Sequence, residues 1–299
     1  MYAINSVEPQ NRTGQTSWNL HLQLAIFNNS RIIPQTPQDN WRKKIHEDMA
    51  MLTLEGEVLE WERHEIAELA SGAPQTAPEF MQWFADLRNV GPGQNDPLFV
   101  WLSEEATREQ MTWFIKQEVA GEAGFEDLTA LTQIKMPTQA KLEMARNYWD
   151  EMGRGQERGM HGPMLTRLAQ ELQIPPSPLE EIVPESLALA NILMGLALNR
   201  RYAYHSIGAL GIIEMTAPDR ALHVYHGLKR LGLSSEAQRY YLLHSTLDKK
   251  HSEDWNAQVI QPLIIQQPNL SPFIAEGALL RLNAGARCFA RYRKELWTH

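Results

Sequence analysis

His244, Asp248 and His251 stand at i, i+4 and i+7 in a stretch, Tyr240 to Trp255, whose pattern predicts helix. At about 100° per residue, positions four and seven apart return to nearly the same azimuth, so the three form one stripe about two turns long. Two imidazoles and a carboxylate on one face make a borderline-soft N/O donor set suited to Fe, Mn or Zn. The alternative is a surface helix with two unrelated histidines and an ion-paired aspartate. Short motifs match by chance often enough that the stripe needs partners from elsewhere in the chain.

Three segments offer them. Glu214 sits in Gly208-Ala-Leu-Gly-Ile-Ile-Glu214-Met-Thr, among small and apolar neighbours. A carboxylate on a buried helix must be paired or bind a cation, because burying it alone is very costly. Gly208, Ala209 and Gly211 would also let a neighbouring helix approach closely. Glu151 and His161 lie ten residues apart, which in an unbroken helix separates them by about 80° and about 15 Å. Gly153 and Gly155 stand between them and permit a bend that brings both to one centre. Alone, each reads as a helix end and a core histidine. Glu118, Glu122 and Glu126 recur every four residues and share a face, where like charges repel unless a cation or solvent relieves them. His223 and His226 stand at i, i+3 without a nearby acid on that face, and His46, His64 and His205 each sit alone on helices, so all five read as structural or surface groups. There is no His-Glu-x-x-His, no Gly-x-Ser-x-Gly and no glycine-rich phosphate loop, so zincin, serine-hydrolase and nucleotide chemistries find no support.

The elements that must position these residues all read as helices. Spacings near three, four and seven predict helix from Pro37 to Ala70, and a shorter one spans Pro78 to Arg88. Ser103 caps a helix that runs to about Gln133. Pro137 opens the next, to Glu151, and helix resumes from His161 to Leu172. After Pro175-Pro176-Ser-Pro178, an Ala- and Leu-rich stretch from Pro184 to Met215 is apolar on nearly every face and is expected to be the central buried helix. Pro218 and Gly232 bracket a helix of about three turns, and Ser252 caps a continuation of the His244 helix to Ile265. The last helix spans Ser271 to Trp297. No period-2 run of useful length exists, so the chain is expected to be all-α. Residues 1–36 read as a polar, irregular N-terminal arm and 37–299 as one helical domain.

The chain has 299 residues, enough for a sizeable core, with 43% hydrophobic residues and a net charge of −8. Mean hydropathy is −0.40. The acidic balance and the lack of basic runs argue against nucleic acid and anionic membrane as partners. No apolar run reaches the ~18 residues of a membrane span, and no signal peptide is evident. Cys288 is the single cysteine, so neither an intrachain disulfide nor a Cys-based zinc site is expected, and the cytoplasm is the default location.

Taken together, Glu151, His161, Glu214 and His244-x3-Asp248-x2-His251 resemble the haem-oxygenase-like diiron oxidases and oxygenases, also described as iron-containing redox enzymes. The likeness lies in their order, in the stripe and in the gap of thirty residues from Glu214 to His244. Asn147-Tyr-Trp-Asp-Glu151-Met-Gly-Arg-Gly looks like a signature of one branch, and the likeness covers roughly residues 100–265. It implies a haem-oxygenase-like bundle of seven core helices that holds two Fe(II) and uses O2 as co-substrate. Some members place Glu and His seven apart. Here the residue seven after Glu118 is Phe125, and seven after Glu151 is Arg158, so the chain is similar to the branch with ten-residue spacing. That branch recruits one more glutamate upstream, for which Glu122 or Glu126 is the match. Three histidines and three carboxylates exceed one tetrahedral ion and suit two ions with open positions.

The resemblance implies an oxidoreductase acting on a small organic substrate by N-oxygenation, hydroxylation, desaturation or C–C cleavage, with a homodimer as an option. A metal-free thiaminase-like protein and a haem-binding protein are the alternatives on the same scaffold. The first lacks an obvious nucleophile, since Cys288 is alone on the last helix. The second needs one axial base in an apolar slot, not acids clustered around histidines.

Overall fold

The computed structural model describes residues 14–121, 124–176 and 178–297, and every regular element in it is a helix. The chain runs α1 (Gly14–Ile32), α2 (Trp41–Glu65), α3 (Ala67–Ser71), α4 (Ala77–Val90), α5 (Pro97–Glu104), α6 (Arg108–Gly121) and α7 (Phe125–Thr132). It continues through α8 (Thr138–Glu151), α9 (His161–Glu171), α10 (Pro184–Leu198), α11 (Ala203–Arg230), α12 (Ser235–Trp255), α13 (Gln261–Gln266) and α14 (Ser271–Leu296). Extended pairing among the described residues is confined to one isolated bridge, Met152 to Met160. The all-α class read from the sequence is the class observed. No described helix is long and apolar enough to cross a membrane.

Several boundaries differ from the sequence reading, each for a local reason. The arm assigned to residues 1–36 is helical over Gly14–Ile32. Leu24 and Phe27 of α1 are buried, and Asn28 donates to Asn191 of α10 at 2.9 Å, so this helix is docked onto the bundle. Residues 1–13 lie outside the described residues. Ser103 caps nothing: Asp96 caps α5 instead, accepting from the Leu98 amide at 3.0 Å with Pro97 in the first turn, and Ser103 falls at that helix's end. The expected helix through Glu118 and Glu126 is broken, with Gly124 at φ +70° starting α7. The stretch 184–215 divides at Asn199 into α10 and α11. Pro218 does not end α11 but sits inside it. It lacks the N–H that would bond the Glu214 carbonyl, which loosens the helix at that turn. Ser252 lies inside α12, and a π-helical segment, Asn256–Ile260, joins α12 to α13.

α11 is the axis of the bundle, packed along α12 and α14 and against α5. The close approach anticipated at Gly208 is made by α14. A Cβ on Gly208 would stand 1.9 Å from the Ile274 carbonyl oxygen, and one on Gly277 would stand 1.8 Å from that of His205. Gly211 admits the Trp255 indole, whose Nε1 donates to the Ile207 carbonyl at 3.2 Å. His205 Nε2 donates to Glu276 Oε2 at 2.8 Å, a carboxylate that also binds Arg63, so this histidine ties α11 to α14. Arg287 of α14 holds buried Glu62 of α2 with two bonds of 3.0 and 2.6 Å.

Gly277→Ala forces the two backbones apart, an overpacking cost of about 1–3 kcal/mol or more. The expected outcome is a clearly lowered melting temperature with helical circular dichroism retained at 20 °C. An unchanged melting temperature would show that α11 and α14 are not locked at this point.

Candidate metal centre

Glu151 is the last residue of α8 and His161 the first of α9. Between them the chain doubles back. Gly153 (φ +59°), Arg154 (φ 52°) and Gly155 (φ +81°) are left-handed, and a Cβ on Gly153 would lie 2.5 Å from the Gly159 carbonyl carbon. The Met152–Met160 bridge closes this loop and sets His161 Nδ1 2.7 Å from Glu151 Oε2. The glycine break anticipated from the sequence therefore does bring the pair to one place. Glu214 arrives from α11, and His244, Asp248 and His251 from one face of α12. All six side chains are buried, none more than 6% exposed.

Two ligand groups emerge: Glu151, His161 and His244, and Glu151, Asp248 and His251, with the donor atoms of each group within 4.8 Å of one another. Glu151 belongs to both. His244 Nε2 is 3.5 Å from Glu151 Oε2, and His251 Nδ1 is 3.6 Å from Glu151 Oε1 and 3.5 Å from Glu214 Oε2. Donors sharing one ion at bond lengths of about 2.0–2.2 Å stand roughly 3–3.6 Å apart, so these gaps fit an ion better than a hydrogen bond. The 2.7 Å contact of His161 is a hydrogen bond that an ion would replace. His244 Nε2, His251 Nδ1 and Asp248 Oδ1 are buried without a hydrogen-bond partner, all in this cluster. Orphaned donors of this kind are costly unless something fills the space between them.

Neighbouring groups aim these atoms. His244 Nδ1 meets the Tyr240 carbonyl at 2.7 Å, which makes Nδ1 the protonated nitrogen and leaves Nε2 to face Glu151. The Tyr240 hydroxyl reaches His161 Nε2 at 2.8 Å. His251 Nε2 donates to Asp150 Oδ2 at 3.3 Å, leaving Nδ1 toward Glu151 and Glu214, and Arg154 holds Asp150 from outside. Asn147 Nδ2 donates to Glu214 Oε1. Tyr240, Asp150 and Asn147 were not singled out as functional in the sequence. Their signal was position: Tyr240 precedes His244 by one turn, and Asn147 precedes Glu151 by one turn.

Of the two additional glutamates, Glu122 lies outside the described residues. Glu126 is half-buried on α7, its Oε1 3.5 Å from where a Cβ on Gly162 would be, and it joins neither ligand group. Glu118 lines a cavity of about 130 Å³ that opens beside the centre and is also walled by Glu151, His161, Glu214, His244 and Asp248.

Without a cation, protons balance the cluster. Burial opposes the charge on Glu151, but the hydrogen bond from His161 and the nearby His244 ring win and hold its carboxyl well below the usual range. Burial, then the Glu214 and Glu151 charges, push Asp248 well above its ordinary value, against the pull of His244. His244 is raised: burial opposes its charge, while Asp248 and Glu151 favour it more. Burial opposes the charge on His251, but the nearby Glu214 and Glu151 carboxylates and the bond to Asp150 outweigh it and raise this histidine to about 9.

The sequence profile of the iron-containing redox enzymes matches residues 112–286, more than half of the chain and all six residues of the cluster. No curated protein matches the chain in sequence. A haem-oxygenase-like helical bundle that gathers histidines and carboxylates at its centre is the class defined by fold and profile together. The chain belongs to the iron-containing redox enzyme family and is an oxidoreductase.

Metal and protons compete for the same atoms. Because His251 stays protonated up to about pH 9, metal affinity should fall by up to about tenfold per pH unit below that, for each proton displaced. Zn(II) titration at pH 6.5 and 8.5 should show tighter binding and smaller proton release at the higher pH; a pH-independent affinity would contradict this. The metal-free protein should follow the opposite trend. A His251 pKa raised from 6.5 to about 9 stabilises the fold fully below 6.5 and ceases to do so as pH rises through 9. That loss should be absent from His251→Gln.

Proposed function

We propose that this protein is a non-haem diiron oxidase or oxygenase that uses O2 to oxidise a small organic substrate. The observation that carries the reading is the membership of Glu151 in both ligand groups, which makes it the natural bridge between two ions. In this reading His161, His244 and Glu151 would hold one iron, and Asp248, His251, Glu214 and Glu151 would hold the other. When bound, two ferrous ions supply the electrons and the open coordination positions for O2 activation.

The chain's own residues supply the rest. Glu151, Glu214 and Asp248 offset three of the four positive charges of two Fe(II), and a fourth carboxylate, Glu122 or Glu126, would complete neutrality. Tyr240 and Asp150 fix the histidine tautomers, and Asn147 fixes the Glu214 carboxylate, so the donors are preorganised on helices rather than loops. The cavity beside them takes the substrate and is walled against water by Phe125, Leu165, Leu189 and Leu193.

The alternatives fit the geometry less well. A volume of about 130 Å³ is well under the roughly 300–1,000 Å³ typical of drug-sized ligand sites, and haem is at least that large. Cys288 is buried on α14, and burial first, then the Glu118 charge, push its thiol up to about 12, which disqualifies it as a nucleophile.

Anaerobic loading should give about two Fe(II) per chain, with O2 consumed and a transient visible absorption on exposure to air. His244→Ala combined with His251→Ala should lose most of the iron while keeping helical circular dichroism. Retention of both irons by that folded double variant would overturn the reading.

A further inference from the structure

The cavity extends away from the candidate metal centre to two arginines that no part of the metal reading uses: Arg220 on α11 and Arg281 on α14. Neither forms an ion pair with a carboxylate among the described residues. Arg220 Nη2 donates to Thr216 Oγ1 at 3.2 Å, and its guanidinium lies 5.9 and 5.6 Å from the centroids of Phe99 and Phe289. Arg281 Nε is buried without an acceptor. Burial first, then the charge of Arg281, pushes Arg220 down to about 9, and burial pushes Arg281 down as well. Glu118 is the acidic group whose field reaches both; Asp219 also acts on Arg220 but is exposed and turned outward to Arg88.

The cavity's other carboxylates, Glu151, Glu214 and Asp248, belong to the metal-centre end, so at the arginine end two guanidiniums face Glu118 alone and exceed it by one positive charge. A buried cation left in excess is strongly unfavourable, and an arriving monoanion relieves it. The geometry gives that anion a direction. Glu214 and Arg220 are six residues apart on α11, about 9 Å of helix rise, with the small Ala217 facing the cavity between them. A cavity near 150 Å³ holds a benzene-sized molecule, so a chamber of about 130 Å³ suits a compact body.

We propose that Arg220 and Arg281 are the anion-recognition end of this cavity, and that its ligand is a small monocarboxylate with an apolar body. The carboxylate lies against the two guanidiniums and the far end points toward Glu151, Glu214 and the α12 ligands. Naming this ligand the substrate rests on the oxidase reading; the binding itself does not.

Calorimetric titration of the metal-free protein with hexanoate and benzoate, against hexanamide and benzamide, tests it. Each carboxylate should bind at least about tenfold tighter than its uncharged amide, the scale expected for charge-assisted bonds. In Arg220→Gln and Arg281→Gln that preference should fall to within about threefold, while each variant still loads iron like the parent. Equal affinity for acid and amide in the parent, or no binding of either, overturns the proposal even if the variants do not fold. Preference retained in both folded variants overturns it too. Carboxylate preference with failed iron loading would instead sink the oxidase reading and leave the anion site standing.

Discussion

Glu151, Glu214 and Asp248 are three carboxylates confined to one water-poor cluster, and most of the site can be understood as an answer to that. Two like charges about 4 Å apart repel by about 4 kcal/mol at an effective dielectric near 20. Without a cation, the chain answers with protons. His251 and His244 are held above their ordinary values, and Asp248 is pushed toward its neutral form. That arrangement still leaves three buried donor and acceptor atoms unpaired, on His244, His251 and Asp248. Cations would displace the protons and satisfy those atoms together. The cluster is therefore costly as a structural feature and economical as a metal site.

The bundle is built to hold this cluster rigidly. α11 and α14 touch backbone to backbone at Gly208 and Gly277, and Trp255 at the end of α12 fits over Gly211. These contacts fix α12 against α11, and so fix Asp248 and His251 against Glu214. On the other side, the left-handed turn at Gly153 to Gly155 joins α8 to α9 and fixes Glu151 against His161. Each histidine that faces the centre is also oriented by a second group: the Tyr240 carbonyl for His244, Asp150 for His251 and the Tyr240 hydroxyl for His161. Local glycine chemistry, helix packing and ligand geometry are thus one chain of cause.

The helical class and the centre's main residues were legible in the sequence because both rest on short-range periodicity. His244, Asp248 and His251 share a face by helical geometry alone, and Glu214 stood out as a charge on an apolar helix. Glu151 and His161 became a pair only by reading Gly153 and Gly155 as a bend. What was hidden depends on longer-range packing or on single breaks. The polar sequence of α1 concealed a helix whose buried side is set by α10. Gly124 separates Glu126 from Glu118, so an apparent acidic face is split between two helices. Pro218 read as a stop, yet the packing of α11 against α12 and α14 carries the helix through it. Arg220 and Arg281 meet at one cavity from helices distant in sequence, and no spacing rule could have joined them.

The central claim is that one carboxylate, Glu151, serves both ligand groups. Iron content after anaerobic Fe(II) loading, compared among folded Glu151→Ala, His161→Ala and Asp248→Ala variants, tests it directly. The account predicts that Glu151→Ala loses both irons, whereas His161→Ala and Asp248→Ala each weaken chiefly one. A Glu151→Ala protein that still binds two irons per chain would contradict it.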